Sequence, residues 1–164
     1  MYKNTLETVI QNESVEMIES LVKQKFINVT GFYGPLQYSL LLYLILYRYE
    51  NIDLCVDLIK MVLRNGADIN QVVQDTDDDY STALSATIGC YIGSCMKTEE
   101  VSNEVSNEVR KADLLTIISI LMVNGANANI VFPDGNSVKT SLITVQNENI
   151  IDSTDLNTLL MRLL

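Results

Sequence analysis

The sequence predicts an all-α protein made of four successive helix pairs, and three observations predict it. Apolar residues recur at helical spacing along most of the chain, most clearly in "IDLCVDLIKMVLRNG" and "ADLLTIISILMVNG". These two stretches end on near-copies of one polar sentence, "RNGADIN" at 64–70 and "VNGANAN" at 123–129. Nowhere does a strong apolar–polar alternation point to a half-buried strand.

The first pair is short. Leu6, Val9 and Ile10 make one apolar face and Val15, Ile18, Leu21 and Val22 a second, with Asn12 to Ser14 breaking the two and offering caps. The second pair opens with "PLQYSLLLYLILYRY" after a Gly-Pro turn. Its apolar run, 36–47, falls well short of the roughly 20 residues that span a bilayer, so it reads as a buried helix with Tyr43 and Tyr47 flanking the core. The partner helix places Cys55, Leu58, Ile59, Val62 and Leu63 on one face. Asn51 is its cap, and Asp53 sits in the first turn, where the helix dipole favours a carboxylate.

The third pair repeats this grammar. "STALSATIGCYIG" starts with Ser81-Thr82 as a cap, and the helix after it carries Leu114, Ile117, Ile118, Leu121 and Met122 on one side. In the fourth, "NSVKTSLITV" follows the turn "PDG" at 133–135, and Asp152 or Ser153 caps "TDLNTLLMRLL". Gly66 and Gly125 each follow the last apolar turn, at the position that needs a left-handed backbone. Ala67 and Ala126 are small enough for a close neighbour. Asp68 or Asn127, with Asn70 or Asn129, can hydrogen-bond the turn that begins the next finger.

Two insertions are expected: extra turns in "LILYRYENI" and, above all, the segment 95–110, which lies between these glycines. The latter contains the tandem "VSNEVSNEV". As a helix it would align Glu100, Glu104 and Glu108 on one stripe and Val101, Val105 and Val109 on the next, at about a few tenths of a kcal/mol per like-charge pair. A partly frayed excursion is the equal alternative.

Composition bounds the function. The chain has 164 residues, 48% of them hydrophobic, enough for one folded domain over 1–164. It carries 21 acids against 11 bases, for a net charge of −10. A phosphate backbone would be repelled, so direct nucleic-acid binding is not expected, whereas a basic protein partner is favoured. The start "MYKNTLETVI" shows no secretory signal, no membrane segment is expected, and Cys55, Cys90 and Cys95 read as reduced thiols in a cytoplasmic protein. Cys90 and Cys95, in "GCYIGSC", read as core residues.

Catalysis and metal binding find little support. The chain has no histidine, which excludes Ser-His-Asp and Cys-His mechanisms and removes the commonest metal ligand. "QDTDDDY" at 74–80 suggests a calcium loop only superficially. It lacks the Gly of the sixth position and the Glu of the twelfth, where Ser85 or Ala86 falls. The glycines form no phosphate cradle, so no cofactor, no metal and no enzyme activity are expected. The best functional candidate is an acidic finger. Asp75, Asp77, Asp78, Asp79, Glu99, Glu100, Glu104 and Glu108 face only Lys97 in sequence, and Tyr80 supplies an aromatic contact.

"LIKMVLRNGADIN" and "ISILMVNGANAN" resemble the ankyrin-repeat signature, an outer helix ending in an apolar triplet, two residues, then Gly-Ala-Asp-x-Asn. "GPLQYSLL" at 34–41 resembles the start of the inner helix, with Gln37 where the family has His, and "STALSATI" has Ser85 there. "DGNSVKTSL" at 134–142 keeps the Asp-Gly tip. The first unit matches with one residue missing and Lys25 in place of Gly. The resemblance implies repeats at about 4–30, 34–70, 80–129 and 134–164, with the insertion 95–110 in the third, stacked as a solenoid whose finger tips and inner-helix face bind protein.

Three functions follow as expectations. The first is a stoichiometric inhibitor that covers a basic partner, such as the anion-binding cleft of a nuclease toxin, as a bacterial immunity protein does. The second rests on the Ile, Asn and Tyr-rich style, which looks like poxvirus ankyrin proteins acting as host-range or immune-evasion adaptors. A folding or assembly scaffold is the third and plainest option.

Overall fold

The computed structural model describes residues 8–9, 14–34, 37–48, 51–74, 79–96 and 104–163, and these are mostly helical. In order they form α1 (Val15–Lys23), β1 (Phe32–Tyr33), β2 (Tyr38–Ser39), α2 (Leu40–Arg48), α3 (Ile52–Arg64), β3 (Val73–Gln74), β4 (Tyr80–Ser81), α4 (Ala83–Cys95), α5 (Glu104–Val123), α6 (Val138–Asn147) and α7 (Ser153–Leu163). The chain divides into two compact units, Met1–Ala83 and Leu84–Leu164.

In the first unit α3 is the hub, with α1 and α2 both packed against it. Asn51 caps α3 by accepting the Leu54 N–H at 3.2 Å, with Asp53 in the first turn as expected. Cys55, Leu58, Ile59, Met61 and Val62 are buried on one face, whereas Asp53, Asp57 and Lys60 are exposed. By contrast α2 is apolar all round, and Leu40 to Ile45 are all buried. Each such side chain contributes about 1.5–3 kcal/mol on leaving water. Ser14 caps α1 through the Met17 N–H, and Ile18 and Val22 face inward.

The purely α expectation needs one amendment, because two fingers of this unit carry short antiparallel ladders. Phe32 pairs with Ser39 and Tyr33 with Tyr38. Val73 pairs with Ser81 and Gln74 with Tyr80. Two residues per strand are too few for alternation to register in a sequence. The ladders also move the helix starts. The stretch expected to be helical from Pro35 becomes helix only at Leu40, after Tyr38 and Ser39 have paired, and Ser39 then accepts the Leu42 N–H at 3.3 Å. Likewise Ser81 lies in β4, and α4 begins at Ala83.

In the second unit α5 packs against α7. Leu114, Ile117, Ile118 and Leu121 of α5, Val138, Leu142 and Val145 of α6, and Leu156 and Leu159 of α7 are buried. Ser137 and Thr140 form a reciprocal capping box on α6, and Asp152 caps α7 by accepting the Thr154 and Asp155 N–H groups. Of the segment 95–110, expected as an insertion, the described part is mostly helical. Cys95 ends α4, and 104–110 are the opening turns of α5, a helix of 20 residues. Residues 97–103, including Glu99, Glu100 and Val101, lie outside the described residues.

Candidate functional site

The two polar sentences fold into the same object. The Gly66 N–H donates to Leu63 O at 3.1 Å and the Ala67 N–H to Val62 O at 3.1 Å, and the Gly125 N–H donates to Met122 O at 3.0 Å and the Ala126 N–H to Leu121 O at 3.0 Å. These are the paired bonds of a Schellman cap, and they require a left-handed residue between them. Gly66 at φ +92° and Gly125 at φ +94° supply it. Two residues on, the Asp68 carboxylate accepts the Asn70 N–H and the Asn127 amide oxygen accepts the Asn129 N–H, both at 2.9 Å. Ala126 is buried and Ala67 half-buried.

The sequence-weak ends use the same cap without glycine. After α1, the Lys25 N–H donates to Val22 O and the Phe26 N–H to Leu21 O, with Lys25 at φ +63°. After α6, the Asn149 N–H donates to Gln146 O and the Ile150 N–H to Val145 O, with Asn149 at φ +51°. Asn28 then accepts the Thr30 N–H, so the first corner also leads into a finger. Tyr33 locks that finger down. Its hydroxyl donates to Asn28 O at 2.6 Å and accepts the Asn28 N–H at 2.9 Å, its ring lies 6.4 Å from that of Tyr43, and burial holds its phenol above the usual range. An open groove of about 450 Å³ runs along Val22, Lys25, Ile27, Asn28, Val29 and Asn65.

In the first unit β2 lies beside β3, so the two hairpins stand next to each other. Phe32 and Val72 are exposed and Tyr38 and Tyr80 half-buried, which offers aromatic area of the kind that anchors interfaces. Asp79 is exposed directly before Tyr80 at the foot of the second finger. In the second unit the finger at 131–137 closes through Phe132 and Asn136, whose N–H and O atoms lie 2.8 Å apart. There the Asn136 backbone and side-chain N–H groups hold the Asp134 carboxyl below its usual range.

Three of the predicted acidic residues, Asp79, Glu104 and Glu108, lie among the described residues. Asp75, Asp77, Asp78, Glu99 and Glu100 lie outside the described residues. Glu104 is the first residue of α5, and Glu108, exposed one turn later, is engaged with Lys111 at 3.0 Å. Asp79 and Tyr80 are neighbours on the second finger.

A cluster that the residue spacing did not announce joins three helices of the second unit. Lys111 of α5 bonds Asp155 of α7 at 3.1 Å as well as Glu108, and the Lys111 and Asp155 side chains are only 16% and 19% exposed. The Tyr91 hydroxyl of α4 donates to Asp155 O at 3.3 Å and lies 3.5 Å from the Asp155 carboxylate. Burial pulls the Lys111 ammonium down, but its bonds to Glu108 and Asp155 outweigh that and keep it above the ordinary lysine value. Burial, with the Asp155 charge second, pushes the Cys95 thiol up to about 11. Burial likewise raises the Tyr91 phenol, with Cys95 and Asp155 adding to the effect. The Lys111–Asp155 ion pair and the Tyr91–Asp155 hydrogen bond clamp α4, α5 and α7 together. The members of these pairs are 44 and 64 residues apart in sequence, and only the Glu108–Lys111 spacing was legible.

Among the described residues no three His, Cys, Asp or Glu side chains converge as a metal site, and no helix is long and apolar enough to cross a membrane. No family model, no curated protein and no solved structure matches the chain.

Proposed function

We propose that the chain is a non-catalytic protein-binding module whose units are ankyrin-type repeats, acting as a stoichiometric inhibitor of a basic partner such as a nuclease-type toxin. The observation that carries the reading is the recurrence of one local design. A capped outer helix, a left-handed corner and an Asx turn lead to a finger three times, at Lys25, Gly66 and Gly125. Repetition of a corner and finger suits a scaffold that displays a surface. The acids of the second finger supply long-range attraction, and Tyr80 with Phe32 supplies contact area.

The test is binding of the immobilised chain to a basic protein that it retains at low salt, compared with the variant Asp77→Asn, Asp78→Asn, Asp79→Asn. Wild-type association should slow about tenfold or more between low and physiological salt, and the variant should begin slow and lose most of that dependence. The inhibitor reading fails if the triple variant keeps both the association rate and the affinity, or if every retained partner is acidic.

A further inference from the structure

We propose that Asn124-Gly125 is a deamidation site that the helix corner holds shut, so that the chain acquires an isoaspartyl residue there only when the corner opens. The chemistry is intrinsic to the dipeptide, because a glycine after asparagine leaves its backbone nitrogen unhindered by any Cβ. That nitrogen loses its proton to solvent base and attacks the asparagine Cγ. The Cγ–Nδ2 bond breaks and ammonia leaves. One water then opens the resulting five-membered imide at either carbonyl, giving aspartate or isoaspartate, so asparagine and water are exchanged for an acid and ammonia.

The corner pins both reacting ends. The attacking Gly125 N–H is committed to Met122 O at 3.0 Å, and the leaving Asn124 amide donates to Ile120 O at 2.8 Å. Asn65-Gly66 is a built-in control, with the Gly66 N–H bonded to Leu63 O at 3.1 Å and the Asn65 amide to Met61 O at 2.8 Å. The two sites differ in exposure, since Asn124 is exposed and Asn65 half-buried. Water and base therefore reach Asn124 first.

The product cannot restore the corner. Isoaspartate adds a methylene to the main chain, which displaces the Gly125 and Ala126 N–H groups from Met122 O and Leu121 O. Aspartate lacks the donor to Ile120 O and places a negative charge at the C-terminal end of α5, where the helix dipole opposes it. Opening is thus recorded as a permanent lesion in the repeat corner.

The experiment follows both asparagines by peptide mapping and mass spectrometry, with isoaspartyl and aspartyl peptides separated, in the folded chain and in the chain unfolded by urea at the same pH and temperature. In urea the two should convert at similar rates. In the folded chain both should slow by about tenfold or more, as expected when two hydrogen bonds must break first, with Asn124 ahead of Asn65. Equal folded and unfolded rates at Asn124, or Asn65 converting first, would overturn the proposal. As a second measurement, the product mimic Asn124→Asp should unfold at lower urea than wild type, and an unchanged midpoint would contradict the claimed damage to the corner.

Discussion

The helices α3 and α5 end alike and begin differently. Each closes with a side-chain amide bonded four residues back, a left-handed glycine and an Asx turn. At their starts, α3 buries a side chain at its fourth residue, Cys55, whereas the first fully buried side chain described in α5 is Leu114, its eleventh. The stops are written in a few consecutive residues. The long opening of α5 instead relies on a lysine that reaches a different helix.

The sharpest way to break this comparison is to remove that lysine. Lys111→Met keeps the aliphatic stem but leaves Asp155 half-buried without its cation, and it should cost about 2–3 kcal/mol in urea unfolding. Loss of signal should be concentrated in the second unit, and adding Asp155→Leu should recover part of it. An unchanged midpoint would mean that the clamp is ornamental and that α5 is as locally determined at its start as at its end.

The same clamp sets an alkaline limit. The folded Lys111 value lies above the ordinary 10.5, so its contribution is full below that pH and is lost as pH rises through the folded value. Cys95 and Tyr91 are held neutral, with folded values above the ordinary 9.0 and 10.0, so they also favour the folded state less as pH climbs past those values. All three act in one direction, and stability should fall from about pH 9 upward. The Cys95→Ala variant should delay the first part of the decline.

A smaller effect tests the shared ending. A Cβ built at Gly66 or at Gly125 meets nothing within 4 Å, so Gly66→Ala and Gly125→Ala should each cost only the left-handed backbone penalty, about 1 kcal/mol. Matching losses would support one corner in two places; a large difference would show that tertiary surroundings decide it after all. The smallest shift should be favourable. Lys25→Gly relieves the positive φ of the first corner and should raise stability by up to about 0.5 kcal/mol, net of the extra freedom it gives the unfolded chain.

The sequence was most readable where the physics is local. Asn51, Ser14 and Asp152 cap the helices they were expected to cap, and Gly66 and Gly125 adopt the left-handed backbone their position demanded. Leu40 to Ile45 of the apolar run of α2 are all buried. Readability failed at the fingers, where pairing of Phe32–Tyr33 with Tyr38–Ser39 depends on how a turn brings two short segments together. It failed again at Tyr91, Lys111 and Asp155, whose separations carry no pattern. The acidic finger was visible only as charge, and Asp79, Tyr80 and Glu108 are the parts of it whose surroundings are described.

By itself, then, the order of residues decided where helices stop, what caps them and which faces avoid water, because each of those depends on neighbours within a turn or two along the chain. Only the tertiary structure decided that two fingers would pair as ladders and that Lys111 would find Asp155. The ladders need a turn to close before they form, and the ion pair joins residues 44 apart, so their energies appear only after the chain has met the entropy of bringing those groups together.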